Sequence, residues 1–134
     1  MSDDVVKTIL LVDDSRSIRM IMSASLQEAG YEVLEAENGE QGVEIASDRK
    51  IDLILTDLNM PLVDGLEFTR RVRAIPGQPA TPILIVTTES HAERKLEGKA
   101  AGANGWVVKP IPPDRLLEVV EQTLLKHAGV ANGN

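Results

Sequence analysis

Short apolar runs alternate with amphipathic stretches along the whole chain, the arrangement expected of a parallel sheet joined by crossover helices. Thr8 to Val12 (TILLV) is the first all-apolar run, with charge on both sides. Ser15 can then cap a helix in which Ile18, Ile21, Met22, Ser25 and Ala29 recur on one face, and Gly30 ends it. Glu32 to Ala36 (EVLEA) alternates, which predicts a half-exposed edge strand, and Asn38 can cap a weaker helix through Ser47 with Val43 and Ala46 facing inward. Ile51 to Thr56 predicts the third strand. Leu66, Phe68, Val72 and Ile75 mark a helix that Pro76-Gly77 stops. Pro82 to Val86 (PILIV) is apolar throughout, so both faces of that strand should be covered. Trp106 to Val108 makes a short fifth strand. A last helix runs from about Pro113 to Lys126 with Leu116, Val119, Val120 and Leu124 as its stripe. Residues 128–134 (AGVANGN) have nothing to pack and are expected to fray. Five strands and five helices in strict alternation make one α/β domain over residues 1–134, with no repeat or linker and a core over about 7–127.

The fourth helix is predicted from Ser90 to Ala101, with Ser90 and Glu93 as a capping box. Its apolar stripe is only Ala92, Leu96 and Ala100, and Gly98 inside it costs about 1 kcal/mol relative to alanine. Such a helix is weakly anchored, which suits an element that shifts.

Composition narrows the function classes. Only three aromatics (Tyr31, Phe68, Trp106) occur in 134 residues, so the core must be built from Leu, Ile, Val and Ala. A net charge of -7 argues against nucleic acid and anionic membranes, which need a basic face. The absence of cysteine leaves no disulfide framework and no thiol chemistry. No basic-then-apolar leader and no membrane-length apolar run is visible, so a cytoplasmic protein without membrane insertion is expected; a monomer is expected as well.

Right-handed crossovers place the segments after all strands at one rim of the sheet, where ligand sites of open α/β sheets form. Asp13-Asp14 follow the first strand, Asp57 the third, Thr87-Thr88 the fourth and Lys109-Pro110 the fifth. Each has an ordinary explanation alone: the aspartates as caps or turn residues, Thr87 as a strand end, Lys109 as a solvated charge. Together they suggest chemistry. Three acids in one pocket repel, and their ionisation calls for a cation. Mg2+ takes oxygen ligands from one or two carboxylates plus a phosphate. Lys109 supplies a compact charge for a phosphoryl oxygen, and Thr87 a hydroxyl donor. The set reads as a phosphoryl-transfer site with Asp57 as the nucleophile. Neither a GxxxxGK[ST] nor a GxGxxG loop occurs, so the phosphoryl group should come from another protein or a small activated phosphate.

In order and spacing, LLVDDSRSIR, ILTDLNMPLVDGLEF, ILIVTTES and GANGWVVKP resemble the receiver domains of two-component response regulators, over residues 7 to 127. The nearest likeness is to single-domain chemotaxis regulators of the CheY type. The resemblance implies a flavodoxin-like sheet of strand order 2-1-3-4-5, an order for which CheY is itself a standard example. It implies that Asp57 accepts a phosphoryl group from a phosphohistidine of a sensor histidine kinase of the CheA type. Asp14 would bind Mg2+ directly, Asp13 through water, and Asn59 through its main-chain carbonyl. Lys109 would pair with the phosphoryl oxygens, with a cis Lys109-Pro110 peptide. Thr87 would move to the phosphate and Trp106 follow it inward, as the switch pair. Asn59 and Glu89 would flank the path of the hydrolytic water and tune the signal's lifetime. Thr88 stands where most receivers carry alanine, and Trp106 replaces the usual tyrosine or phenylalanine; both bear on output geometry.

Nothing follows the fifth helix in the sequence, so output is expected through protein contacts at the face of helix four, strand five and helix five. The expected partner is the flagellar motor switch. A phosphate sink that drains the kinase is the alternative within the same chemistry. A magnesium phosphatase acting through an aspartyl-phosphate is less favoured, because Asn59 stands where its general acid would be and no cap domain is evident. The protein is then no enzyme toward external substrates; it catalyses only its own phosphorylation and dephosphorylation.

Overall fold

The computed structural model describes residues 5–77 and 80–133, with residues 128–133 described by their backbone alone. The order is β1 (Thr8–Val12), α1 (Arg16–Glu28), β2 (Glu32–Ala36), α2 (Gly39–Asp48), β3 (Leu53–Thr56), α3 (Gly65–Arg73), β4 (Ile83–Thr87), α4 (Ala92–Ala101), β5 (Gly105–Val108) and α5 (Pro113–Gly133). The five strands are parallel in the order β2-β1-β3-β4-β5, which is the flavodoxin-like order, with β2 on an edge and β3 in the centre.

Successive side chains on a strand point to opposite faces, so an apolar run feeds two cores at once. Leu10, Val12 and Ile54 join Phe68, Val72 and Ala46 under α2 and α3. Ile9, Leu11, Leu53, Leu55, Leu84 and Val86 join Met22, Leu26, Leu116 and Val120 under α1 and α5. A smaller cluster of Leu58, Leu66, Ile85 and Ala101 carries α4, with Trp106 packed against it. No helix among the described residues is long and apolar enough to cross a membrane.

Several helix faces differ from the sequence expectation. In α1 the buried residues are Met22, Ser23 and Leu26, while Ile21 and Ala29 are exposed. The helix turns its i, i+4 pair Met22–Leu26 toward the sheet, rotating part of the predicted stripe into solvent. α4 departs most. It starts at Ala92, with His91 as an N-cap that makes no side-chain capping bond, so the Ser90–Glu93 box does not form. Glu89 explains this locally: its carboxylate accepts the His91 backbone N–H at 3.1 Å, and its contact with the His91 ring draws the chain past Ser90 before the helix begins. Ala92, Leu96 and Ala100 all lie exposed, Leu96 at 67%; Gly98 and Ala101 are the buried positions.

Gly98 accordingly has a packing purpose. A Cβ there would stand 2.9 Å from Trp106 Cζ3 and 3.2 Å from Ile85 Cδ1, so its missing side chain is where the indole sits. α5 is helical from Pro113 to Gly133, past the Lys126 end expected from its apolar stripe, because each residue added to a nucleated helix gains one backbone bond. Residue 134 lies outside the described residues.

Candidate functional site

The register of the sheet assembles the acidic rim. β1 and β3 pair with Val12 opposite Thr56, so the next residues of each, Asp13 and Asp57, stand side by side. The Asp57 N–H donates to the Val12 carbonyl at 2.9 Å, and the Asp13 N–H to Ala36 at 3.1 Å. Thr87 pairs with Val108, and the Lys109 N–H donates to the Thr87 carbonyl at 2.8 Å, which brings Lys109 to the same rim. The Lys109-Pro110 peptide is cis.

Asp13, Asp14 and Asp57 can each offer a carboxylate oxygen with all of these within 4.8 Å of one another. Lys109 Nζ sits between two of them, 2.8 Å from Asp13 Oδ2 and 3.5 Å from Asp57 Oδ2. Asp13 is 2% exposed and held at both oxygens, because its Oδ1 accepts the Ser15 N–H at 2.8 Å. Ser15 itself caps α1 by accepting the Ile18 N–H at 3.3 Å. Asp57 is fixed by the Leu58 N–H, which donates to its Oδ1 at 2.7 Å, and by Thr56, whose hydroxyl donates to its carbonyl at 2.9 Å.

Beyond Asp57 the chain is pinned from beneath by the buried side chains of Leu58, Met60 and Val63, while Asn59 stays exposed. Leu62, at φ 71°, is the centre of a γ-turn in which the Val63 N–H donates to the Pro61 carbonyl at 2.8 Å. Glycine at position 65 lets α3 start against this loop: a Cβ there would lie 2.3 Å from the Asp57 carbonyl oxygen.

The donor set fits a hard divalent cation. Asp14 is exposed and has no hydrogen-bond or ion-pair partner among the described residues, and the Asn59 carbonyl accepts no hydrogen bond among them. Three carboxylates share one ammonium, so negative charge is in excess. Burial pushes the Asp57 carboxyl above its ordinary range; Lys109 pulls it down, Asp13 pushes it up, and the Leu58 N–H pulls it down again.

The folded state therefore holds a proton on Asp57 more tightly than the unfolded chain does. This contribution to stability is full below the ordinary carboxylate pKa and is lost as pH rises through the raised value. In chelator, Asp57→Asn should melt a few degrees above the unaltered chain at pH 7, and the gap should close as pH falls into the carboxylate range. Thermal melts across pH test this; an unchanged or lower melting temperature at pH 7 contradicts it.

The expected switch residues are also placed. Thr87 is fully buried, and its Oγ accepts the Glu89 N–H at 3.3 Å. Trp106 is half-buried, and its Nε1–H donates to the Glu89 carbonyl at 2.8 Å. Both thus meet at the Glu89 backbone. The Glu89 carboxylate is held by His91, whose hydrogen bonds keep it below the usual carboxylate range. Thr88 is exposed. Sequence reasoning missed His91, Gly65 and Arg19, whose Nη1 donates to the Asp13 carbonyl at 2.6 Å. Gly65 had a signal, since glycine at a helix's first position after an Asp cap is a poor helix former. Arg19 had none, because it acts on a backbone carbonyl that any residue would offer; His91 lies only two residues from the Glu89 carboxylate it holds, but nothing in the residue types singles out that pairing.

A family model described as the response regulator receiver domain matches residues 9–121. The chain is 38% identical over 120 residues to the phosphate regulon transcriptional regulatory protein PhoB of Pseudomonas aeruginosa, covering 90% of this chain but only 52% of PhoB. Among solved structures, the chemotaxis response regulator CheY4 of Vibrio cholerae superposes with a TM-score of 0.86 at 44% identity, covering 89% of this chain and 99% of that one. The receiver domain of the sensor histidine kinase PA1611 from Pseudomonas aeruginosa has a magnesium ion coordinated in its active-site cleft. It matches with a TM-score of 0.83 at 28% identity, covering 90% of this chain and 98% of that domain.

Proposed function

This chain belongs to the response regulator receiver family, and from that premise we propose that Asp57 is its phosphoacceptor and that phosphorylation changes its affinity for a protein partner. The observation that carries this reading is the Lys109 ammonium between Asp13 and Asp57, with Asp14 completing three carboxylates within 4.8 Å.

An Asp57 carboxylate oxygen attacks the phosphorus of a kinase phosphohistidine. The P–N bond breaks, and its electron pair leaves with the imidazole. Asp57 needs no general base, since its carboxylate is the nucleophile. Asp14, Asp57, the Asn59 carbonyl and, through water, Asp13 would hold Mg2+. When bound, that ion offsets the charge gathering on the phosphoryl oxygens. Lys109 stays paired with Asp13 and offers its remaining protons to a phosphoryl oxygen. The Thr87 hydroxyl gives up the Glu89 N–H to donate to the phosphoryl group, which frees the Glu89 backbone that also holds Trp106. Trp106 packs on Gly98 of α4, so the displacement reaches the α4–β5–α5 face. Hydrolysis reverses the signal by attack of water on phosphorus, and Asn59 and Glu89 set its rate.

A surface cleft of about 280 Å³ between α4 and β5 supports this face as the output surface; Lys95, Lys99, Asn104 and Trp106 are among its walls. Its two lysines, with exposed Leu96 beside them, suit an acidic, partly apolar partner segment, and the flagellar motor switch is the partner proposed to supply it.

The test is incubation with a small phosphodonor and Mg2+, followed by binding to a motor-switch peptide. One phosphoryl group per chain and tighter peptide binding are expected, with altered label lifetimes in Asn59→Ala and Glu89→Ala. Uptake without peptide binding would favour the phosphate sink. Sustained hydrolysis of external phosphate esters would favour a phosphatase.

A further inference from the structure

We propose that Arg19 is a positioning residue for the cation side of the site: held by Glu35, its guanidinium fixes the Asp13–Asp14 peptide and so aims the Asp14 carboxylate. The inference rests on the Mg2+-dependent reading above.

Arg19 Nη1 donates to the Asp13 carbonyl at 2.6 Å, and its Nε to Glu35 Oε1 at 3.3 Å. The contact spans from the first turn of α1 back to the residue just after β1, with the arginine side chain 13% exposed. That carbonyl belongs to the peptide unit whose nitrogen is Asp14's own. A peptide unit is planar, so pinning its oxygen sets the plane and with it the Asp14 Cα. Asp13 has further restraints, from the Ser15 N–H and from Lys109. Asp14 has none of its own among the described residues, so its aim depends on the peptide before it.

Charge alone would argue against an arginine here, because a guanidinium beside a cation site repels the ion. Glu35, on the neighbouring strand β2, offsets that charge while orienting the fork. The positional and Coulombic effects of Arg19 therefore have opposite signs, and this makes them separable. Arg19→Met removes a positive charge, which by Coulomb's law alone should tighten Mg2+; loss of the peptide anchor should loosen it.

The experiment is calorimetric Mg2+ titration of the unaltered chain, Arg19→Met, Arg19→Lys and Glu35→Gln, with thermal melts of each. Arg19→Met should bind Mg2+ about tenfold or more weakly, as is usual when a group orienting a metal ligand is lost. The Mg2+ concentration for half-maximal phosphorylation should rise by the same factor, with the rate at saturating Mg2+ unchanged. Arg19→Lys should rescue little, since one ammonium cannot reproduce the fork that reaches both the carbonyl and Glu35. Glu35→Gln should also weaken binding, and more so at low salt, where the uncompensated guanidinium is least screened. If Arg19→Met melts poorly, Glu35→Gln carries the test. Affinity equal to or tighter than that of the unaltered chain, in both folded variants, overturns the assignment of Arg19 alone. No Mg2+ binding by the unaltered chain overturns the metal reading and this inference together.

Discussion

Asp57→Asn should abolish phosphoryl uptake from a small phosphodonor with Mg2+, leaving no label in intact-mass measurements under conditions that fully modify the unaltered chain. The expected loss is total because the carboxylate oxygen is itself the nucleophile and nothing adjacent can replace it. Asp13 is the nearest competitor, but both its oxygens are occupied, by Ser15 N–H and by Lys109, and it is 2% exposed. Asp14 is exposed, but it lacks the ammonium within 3.5 Å that Asp57 has. The asparagine differs from aspartate by an amide and keeps the shape of the side chain. The same variant is expected to be the more stable one in chelator, so a misfolded protein cannot account for the loss. One label per chain surviving in Asp57→Asn would assign the chemistry to another residue.

Gly65→Ala carries the second large effect, and it acts on Asp57 through the backbone. The added Cβ would meet the Asp57 carbonyl oxygen at 2.3 Å, the Asp57 carbonyl carbon at 3.1 Å and the Leu58 Cα at 2.9 Å. All three are main-chain atoms, so no flexible side chain can turn away. Either α3 retreats or the strand end moves. Forced overpacking of this kind costs roughly 1–3 kcal/mol. Alanine's better helix propensity, about 1 kcal/mol, offsets only part of it. Displacing the reacting oxygen by about 1 Å can cost on the order of 100-fold in rate. Melting temperature and the rate of phosphorylation should fall together. A variant with the stability and rate of the unaltered chain would mean that α3 adjusts freely and that the close approach has no function.

Much of the site was legible because it is written at strand ends. Asp13-Asp14, Asp57, Thr87 and Lys109 each close an apolar run, and parallel strands joined by right-handed crossovers bring all such ends to one rim. The helix faces were less legible. In α1 the apolar residues cover more than one face, so periodicity alone could not say which face the sheet would take. In α4 the only apolar stripe, Ala92, Leu96 and Ala100, points outward, while a glycine and an alanine face the core. There the deciding quantity is not hydrophobicity but the bulk of Trp106, which demands a seat without a side chain.

By itself, then, the sequence determined the alternation of elements, the single acidic rim and the residues that stand on it. These follow from local periodicity and chain topology, which are properties of neighbours along the chain. The tertiary structure alone decided how those residues are held: Lys109 between Asp13 and Asp57, Gly65 beneath the Asp57 carbonyl, Arg19 against the Asp13 carbonyl, and Thr87 and Trp106 meeting at Glu89. Most of these contacts end on a backbone group. Every residue carries the same carbonyl and amide, so no pattern of side-chain types marks which one will be used, and only register and packing select it.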